Sequence, residues 1–391
     1  MWIERTFSEK LIKSALSRPA ILLTGVRQSG KSSLLKHIFP KAKYVTLDNL
    51  LQAESSEKSP KSFIQSFKDE ENVIIDEIQY APSLFRELKI AIDQNRKQYG
   101  KWILTGSQKF SLMKEVRESL AGRIEIHHLE TLSTKEIRNY NTRYEEKLTV
   151  NDYITKGGYP ELWSNPALEN ESFFESYIQS YIEKDLREII NVSELRDFRR
   201  FFSACAHRSG KLVNYTELGK DVGVSGQTAK TWLSALETSG IIYLLSPYFK
   251  NLGKRLVKAP KLYFADNGLL AYLLGINTLS NNVSSEYGHL WETLVFNELI
   301  KTRDLIPNRN IFFYRDQNAV EIDFLIEKND KVELIEAKAG EKINEKKLNF
   351  RKVAKLFTKE ITSTVACRTM EEGLIDLGEY QVYNPIKYSL K

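Results

Sequence analysis

The sequence predicts an α/β protein whose N-terminal part is a parallel sheet wrapped by helices. Five short apolar runs near the N-terminus are separated by longer stretches with helical periodicity, which is typical of strands joined by helical crossovers. The chain has 391 residues, and at roughly 100–200 residues per domain it should hold two or three domains. The five runs are Ala20–Thr24, Tyr44–Leu47, Val73–Ile75, Trp102–Thr105 and Ile124–His128.

Composition and charge narrow the class of protein. Hydrophobic residues make up 42% of the chain and charged residues 28%, so the chain can bury several cores and does not have the composition of a disordered protein. No apolar run reaches the roughly 18 residues of a membrane-spanning helix, so we expect no membrane partner. The net charge of +6 permits a polyanionic partner without requiring one.

The N-terminus and the cysteines favour a cytoplasmic protein. The first residues, MWIERTFSEK, lack the apolar core of a secretory signal. Cys205 and Cys367 are too few for a disulfide framework or a cysteine-rich zinc site, which favours a reducing compartment.

Residues 21–35, ILLTGVRQSGKSSLL, predict a phosphate-binding loop between an apolar strand and an amphipathic helix. The spacing G-x-x-x-x-G-K-[ST] is met by Gly25, Gly30, Lys31 and Ser32. The glycines let successive backbone N–H groups face a phosphate. Lys31 would reach the β- and γ-phosphates, and Ser32 would bind Mg²⁺. The alternative is a chance glycine-rich turn.

Residues 72–79, NVIIDEIQ, predict a second strand that ends in two acids, the Walker B arrangement. Asp76 would hold Mg²⁺ through water, and Glu77 would orient and deprotonate the attacking water. The alternative is a strand end with two solvated carboxylates. The residues expected to hold ATP are Gly25, Gln28, Ser29, Gly30, Lys31, Ser32, Ser33 and Asp76, with Ser32 and Asp76 as the metal ligands.

Two further features are expected near the nucleotide. The strand in residues 102–108, WILTGSQ, should lie between the other two strands and bring Ser107 and Gln108 to the γ-phosphate, unless they form a plain polar turn. Arg123 follows a helix over 111–120 and precedes a strand, so it is a candidate arginine finger for a neighbouring subunit of a homo-oligomer. The alternative is a helix C-terminal cation that the macrodipole favours, and Arg117 on the same helix could substitute for it.

Several stretches of the chain resemble a bacterial and archaeal family of AAA-type P-loop ATPases, whose members carry a C-terminal region of unknown function. The resemblance implies ATP binding and a nucleic-acid or mobile-element context, with no established substrate. The stretches cover most of the chain and are TGVRQSGKSSLL, VIIDEIQ, ILTGSQ, SLAGR, GGYPELW, KRLVKAPKLYFADNGLLAYLLG, LWETLVFNELIK and VEIDFLI with IEAK.

Residues 211–249 predict a winged helix, a helix-turn-helix followed by a hairpin. Gln227, Thr228 and Lys230 would be exposed on its second helix and could contact DNA. The alternative is a lid or a protein-docking module. A stretch without acids follows, over 246–265, and its cations could form one exposed face that neutralises phosphates, or a solvated basic loop. These cations are Lys250, Lys254, Arg255, Lys258 and Lys261.

The C-terminal part contains the D…E-x-K pattern of restriction-type nucleases, after a helix that carries an acid. Residues 336 and 338 lie on the same face of a strand because side chains alternate along it. The carboxylates would bind Mg²⁺, which activates water, and Lys338 would stabilise developing negative charge. The alternatives are a module that keeps the fold but only binds DNA or acts as a scaffold, and a strand pair with solvated charges. The expected metal ligands are Glu292, Asp323 and Glu336, and the expected catalytic residues are Asp323, Glu336 and Lys338.

These motifs divide the chain into three predicted domains. We expect an AAA-type ATPase domain over 1–145, a helical and winged-helix region over 146–265, and a restriction-nuclease-like α/β domain over 266–391. The function they predict is ATP hydrolysis that drives or gates action on DNA, with a Mg²⁺-dependent nuclease domain. The alternative is an ATP-controlled interaction switch whose C-terminal fold binds without cutting.

Overall fold

The computed structural model describes residues 2–106, 115–116, 118–142, 148–182, 195–248, 258–277 and 284–390. The chain folds into two compact units. The N-terminal unit consists of Glu4–Thr131 with Thr238–Gly240, and the C-terminal unit holds the rest of the described chain. The predicted domain boundary at 145 lies outside the described residues, and the one at 265 falls within the C-terminal unit, so the three-domain division stays a prediction.

The N-terminal unit contains a five-stranded parallel sheet, which confirms the predicted fold class. The strand order is β2-β3-β4-β1-β5, and every neighbouring pair is parallel. The strand that precedes the phosphate loop and the strand of the Walker B motif are therefore separated by β4, as the sequence predicts. The strands are β1 (Ala20–Thr24), β2 (Lys43–Thr46), β3 (Val73–Asp76), β4 (Trp102–Thr105) and β5 (Ile124–His128).

The three central strands of this sheet are buried along their whole length. Because both faces of these strands are buried, their sequences are continuous apolar runs and do not alternate between apolar and polar residues. The helices pack their apolar side chains on the sheet, as Phe85 and Leu88 do in the main hydrophobic core. The described helices of this unit are α1 (Ser8–Ala15), α2 (Lys31–Ile38), α3 (Leu50–Lys58), α4 (Pro60–Gln65) and α5 (Leu84–Gln94), with a 3-10 turn at Ile78–Tyr80.

Most of the helices of the C-terminal unit precede its mixed sheet in the chain. The described helices of this unit are α6 (Thr134–Thr142), α7 (Val150–Thr155), α8 (Pro160–Ser164), α9 (Asn170–Tyr177) with a π-helical extension at Ile178–Ile182, α10 (Leu195–Ala206), α11 (Tyr215–Val222), α12 (Gly226–Thr238), α13 (Asn267–Leu273), α14 (Ser284–Arg303) and α15 (Phe350–Ala354). Helix α15 lies between two strands of that sheet. Among the described residues, no helix is both long enough and apolar enough to cross a membrane.

Helices α11 and α12 are joined by a short turn, within the stretch for which the sequence predicts a helix-turn-helix. Gly223 ends α11 with φ +81°, and the Thr228 N–H donates to the Ser225 hydroxyl at the start of α12 over 3.0 Å. A two-stranded antiparallel sheet follows, made of β6 (Ile242–Leu245) and β7 (Lys261–Phe264). The winged-helix assignment itself stays a prediction. Lys250, Lys254 and Arg255 lie outside the described residues, as do Ser107, Gln108 and Arg117.

A second, mixed sheet lies in the C-terminal unit. Its order is β12-β13-β11-β10-β9-β8, in which β8, β9 and β10 are antiparallel neighbours and β10, β11 and β13 run parallel. Helix α14 is tied to this sheet by Trp291, whose indole N–H donates to the Ala366 carbonyl over 3.0 Å. The strands are β8 (Ile311–Arg315), β9 (Glu321–Lys328), β10 (Lys331–Lys338), β11 (Glu360–Cys367), β12 (Leu374–Asp376) and β13 (Gln381–Tyr383).

Candidate functional site

The phosphate loop joins the carboxyl end of β1 to the start of α2. Gly25 has φ +147°, and a Cβ there would lie 2.4 Å from the Leu129 carbonyl oxygen, so only glycine fits. Gly30 is the N-cap of α2 with φ +92°, a conformation that side chains rarely adopt. The loop thus turns back on itself and presents the N-terminus of α2, a region of positive potential that attracts anions.

Lys31 lies inside this loop and is 6% exposed. Its Nζ donates to the carbonyl oxygens of Gly25 and Val26 over 3.1 and 2.9 Å. Beside it, the buried Ser29 hydroxyl has no hydrogen-bond partner within the described part of the chain. The amine and the free hydroxyl are polar groups that phosphate oxygens can satisfy, so the residues present fit a nucleotide phosphate. Gln28 adopts φ +59°, and Ser33 is exposed on the first turn of α2.

Asp76 is the last residue of β3, and its carboxylate accepts hydrogen bonds from hydroxyl groups on three other elements. The Ser32 hydroxyl lies 2.8 and 2.9 Å from its two carboxylate oxygens, and the Tyr44 hydroxyl donates over 2.6 Å. The Thr105 hydroxyl at the end of β4 donates as well. Ser32 and Asp76 are therefore close enough to bind one Mg²⁺ between them, directly or through water, so the pair fits the metal that accompanies ATP.

Tyr44 and Thr105 are site residues that the sequence analysis missed. Burial and the neighbouring Asp76 charge raise the pKa of the Tyr44 phenol, so it remains a hydrogen-bond donor at neutral pH. Thr105 could have been found, because it is the polar residue that ends the predicted strand Trp102–Thr105. Tyr44 gave no such signal, since its hydroxyl reaches Asp76 only through the pairing of β2 with β3.

Glu77 follows Asp76 with φ +57°, a left-handed conformation that is unusual for a side-chain-bearing residue. Its N–H donates to the Thr105 hydroxyl over 3.0 Å, and its carboxylate accepts from the Gln79 amide. Backbone strain of this kind costs about 1–3 kcal/mol and is concentrated at functional sites. A partly exposed carboxylate held beside the metal ligands is suited to accept a proton from water.

Arg123 does not lie at the edge of the sheet from which the phosphate loop leaves. Ala20 pairs with Ile124, so Arg123 stands at the amino end of the parallel strands, whereas the phosphate loop leaves the carboxyl end. Five residues of strand separate these edges, about 16 Å. The Arg123 guanidinium instead forms a bidentate pair with Asp93 over 2.8 and 2.7 Å. Arg123 thus cannot serve its own phosphate loop, and a role in a neighbouring copy stays a prediction.

The four residues of the nuclease-like pattern come together in the C-terminal unit. Antiparallel pairing of β9 with β10 sets Asp323 beside Glu336. The Ala337 N–H donates to Asp323 Oδ2 over 2.9 Å. Lys338 Nζ contacts Glu336 and lies 3.7 Å from Asp323 Oδ2. Glu292 reaches the same place from α14. We call these four residues, with Glu321 and Lys261, the carboxylate centre.

Lys261 was expected on an exposed basic face, and this expectation is wrong. Its side chain is 3% exposed, and its Nζ lies 2.9 Å from Glu292 Oε1, 2.6 Å from Glu321 Oε1 and 3.6 Å from Asp323 Oδ1. The Tyr263 hydroxyl also donates to Glu292 over 2.6 Å. The sequence could not show this burial, because the lysine stands in a run of cations without acids and its partners lie more than 30 residues away.

The charges of the centre depend on this burial. Burial alone would lower the pKa of Lys261, but the carboxylates of Glu292, Asp323 and Glu321 raise it well above its usual value. Burial, together with the Asp323 charge, raises the pKa of Glu336 to about 8. These shifts favour a protonated Glu336 and a charged Lys261 at neutral pH.

The residues of the carboxylate centre do not fit a divalent metal ion as they stand. An ammonium group already lies among the carboxylates that were expected to bind Mg²⁺. Within the described ranges, no group of three or more His, Cys, Asp or Glu side chains is arranged to hold a metal ion.

Three family models match the chain. One describes an AAA domain and covers residues 17–138; the others describe domains of unknown function, DUF8612 over 147–280 and DUF4143 over 287–386. Two similar proteins are the uncharacterized proteins Rv2008c of Mycobacterium tuberculosis and Mb2031c of Mycobacterium bovis. Each is 30% identical over 330 residues, which span 84% of this chain and 72% of the relative.

The chain belongs to the AAA-type P-loop ATPases that carry a C-terminal DUF4143 domain. Solved structures similar to this ATPase include the Walker-type ATPase PABY2304 of Pyrococcus abyssi, with 16% identity, coverage of 70% of this chain and 96% of that chain, and a TM-score of 0.47. The RuvB Holliday junction branch migration motor of Thermotoga maritima has 16% identity, coverage of 62% and 90%, and a TM-score of 0.33.

Lys31→Ala should weaken nucleotide binding. The ammonium that lies in the loop would be lost, and with it the charge that pairs with the β- and γ-phosphates. Titration of a fluorescent ATP analogue should show at least about a tenfold loss of affinity. Lys41→Ala removes an exposed lysine just after α2 and should bind as the wild type does. Equal affinity in both variants would contradict the assignment of Lys31.

Glu77→Gln should bind ATP normally but release phosphate slowly. The amide keeps the shape of the side chain but cannot accept a proton, and a general base typically contributes about 10²–10⁴-fold to the rate. Glu54→Gln, an exposed acid on α3, is the matched control. Phosphate release at the wild-type rate in Glu77→Gln would remove Glu77 from its proposed role.

The protonation of Glu336 predicts a pH-dependent stability. Its pKa is about 8 in the folded protein and near 4.5 when unfolded, so between these values the folded state binds one more proton than the unfolded state. The contribution of Glu336 to stability therefore falls as pH rises from about 5 to 8. Glu336→Gln, which cannot ionise, should lose less melting temperature over this range than the wild type. If the melting temperatures of the variant and the wild type fall equally over this pH range, Glu336 is not protonated at neutral pH.

Proposed function

We propose that this ATPase hydrolyses ATP at the phosphate loop and that its nucleotide state controls binding to DNA. The observation that carries the proposal is the placement of Ser32 beside Asp76, with Lys31 next to the serine and Glu77 next to the aspartate along the chain. Lys31 and the backbone of the loop would bind the phosphates, and Ser32 and Asp76 would hold Mg²⁺, which screens the charge of the transferred phosphoryl group. Glu77 would take the proton of the attacking water.

The helix-turn-helix supports DNA as the partner. Gln227 and Lys230 are exposed on α12, and Thr228 is half-buried there, while Lys258 is exposed before β7. The second helix of such a motif commonly enters the major groove with its N-terminal residues near the bases. The first turn of α12 contains no acid, so this surface would not repel phosphates. A docking module for another protein remains the alternative for this motif.

The C-terminal unit would bind DNA without cutting it. The observation that favours this alternative over a nuclease is Lys261, whose ammonium lies among the carboxylates that a nuclease uses to hold its metal ion. Hydrolysis in the N-terminal unit would then be the chemical step of the cycle, and the C-terminal unit would supply the contact with the partner.

Salt-dependent DNA binding tests the partner. Each lysine that contacts a phosphate adds about −0.9 to the slope of log K against log salt on duplex DNA. Lys230→Ala and Lys258→Ala should each make the slope less negative by about 0.9, the contribution of one phosphate contact. The slope is measured by fluorescence anisotropy on duplexes of unrelated sequence. Lys61→Ala in α4 is the matched control. If the slope is unchanged in both variants, DNA binds at another surface of the protein or is not its partner.

A homo-oligomer with Arg123 acting in a neighbouring active site is a further part of the proposal. Arg123→Ala should bind ATP but hydrolyse it slowly, and mixing it with Lys31→Ala should partly restore activity, because one interface then unites an intact loop with an intact arginine. Asp93→Asn removes the ion pair but keeps the arginine, so it should retain activity. Equal loss in Arg123→Ala and Asp93→Asn, with no rescue in mixtures, would make Arg123 a structural residue.

A further inference from the structure

The carboxylate centre differs from a metal site because a lysine ammonium group lies among its carboxylates. The Nζ of Lys261 has three carboxylate oxygens around it, contributed by Glu292 of α14 and by Glu321 and Asp323 of β9, at 2.6 to 3.6 Å. An ammonium group has three donors and no acceptor. Glu292 and Glu321 lie within hydrogen-bond distance of the ammonium, and Asp323, at 3.6 Å, forms an ion pair with it, so one lysine contacts all three carboxylates.

We propose that Lys261 is the resident cation of the carboxylate centre, in the place that a divalent metal ion would need, and that the centre consequently binds neither Mg²⁺ nor Mn²⁺. This inference deepens the proposed function, because it gives the physical reason why the C-terminal unit would bind DNA without cutting it.

The backbone of Lys261 is held in place, so the ammonium is not a mobile surface group. Lys261 pairs with Leu245 across the β6–β7 sheet, and the next residue, Leu262, donates its N–H to the Lys211 carbonyl over 3.1 Å. The side chain then runs into the unit, with its Nζ 5.6 Å from the centre of the Phe313 ring. For the ammonium to leave the centre, β7 would have to shift or the side chain would have to cross packed residues.

Charge also opposes a metal ion at this place. A divalent ion bound by Glu292 and Asp323 would lie within a few ångströms of the ammonium, in a buried site where repulsion is weakly screened. Lys338 adds a second ammonium on the other side of Asp323. Removing Lys261 would remove this repulsion, because Glu292, Glu321 and Asp323 would then have one cation fewer among them. Oxygen-rich clusters of that kind bind Mg²⁺ and Mn²⁺.

Mn²⁺ binding to the full chain tests the proposal without nucleotide or DNA. Electron paramagnetic resonance measures the free ion, and Asp323→Asn shows which binding belongs to the centre. The wild type should show no binding that Asp323→Asn removes. Lys261→Met should gain an Asp323-dependent site, about tenfold or more tighter than any in the wild type. Lys338→Met, the matched control, should gain none, because Lys261 still occupies the centre.

Two results would overturn the proposal. One is Mn²⁺ binding in the wild type that Asp323→Asn abolishes; this comparison does not depend on whether Lys261→Met folds. The other is a Lys261→Met variant that is folded, as judged by circular dichroism, but gains no Mn²⁺ site. The carboxylates would then not form a metal site even without the lysine. Because neither ATP nor DNA is present, failure of the proposed ATPase or DNA-binding function leaves these outcomes unchanged.

Discussion

A buried carboxylate must be matched by hydrogen-bond donors or by a cation, and this ATPase meets that constraint in two different ways. Asp76 is matched by the neutral hydroxyls of Ser32, Tyr44 and Thr105. Such donors can exchange their bonds when a cation arrives, since no charge has to leave the site. Asp323 is instead matched by lysines that the chain itself supplies. The first arrangement is suited to a metal that comes and goes with nucleotide, and the second to a fixed internal ion pair.

The topology of the sheets places these carboxylates. In the N-terminal unit, parallel pairing brings the carboxyl ends of β1, β3 and β4 to one edge, so the phosphate loop, Asp76 and Thr105 meet there. In the C-terminal unit, antiparallel pairing of β9 and β10 brings Asp323 beside Glu336, and β7 carries Lys261 to them. Arg123 lies at the opposite edge of the first sheet, because it precedes its strand rather than following it.

How much the sequence predicts depends on how far apart in the chain the interacting residues are. The phosphate loop and the Asp76–Glu77 pair are recognisable because each is a contiguous motif with a strand beside it. The convergence of Asp323, Glu336 and Lys338 follows from side-chain alternation along two strands that are neighbours in sequence. Tyr44 and Lys261 could not be assigned this way, since their partners are distant in sequence and local patterning showed only an apolar strand and a basic stretch.

The most direct test of this account is a crystal structure of the ATPase grown with ADP, a phosphate analogue and Mn²⁺, with anomalous scattering used to locate the metal. We expect an anomalous peak beside Ser32 and Asp76 and no peak between Glu292 and Asp323, where the Lys261 ammonium should be found. A peak between Glu292 and Asp323, with the lysine displaced, would contradict it.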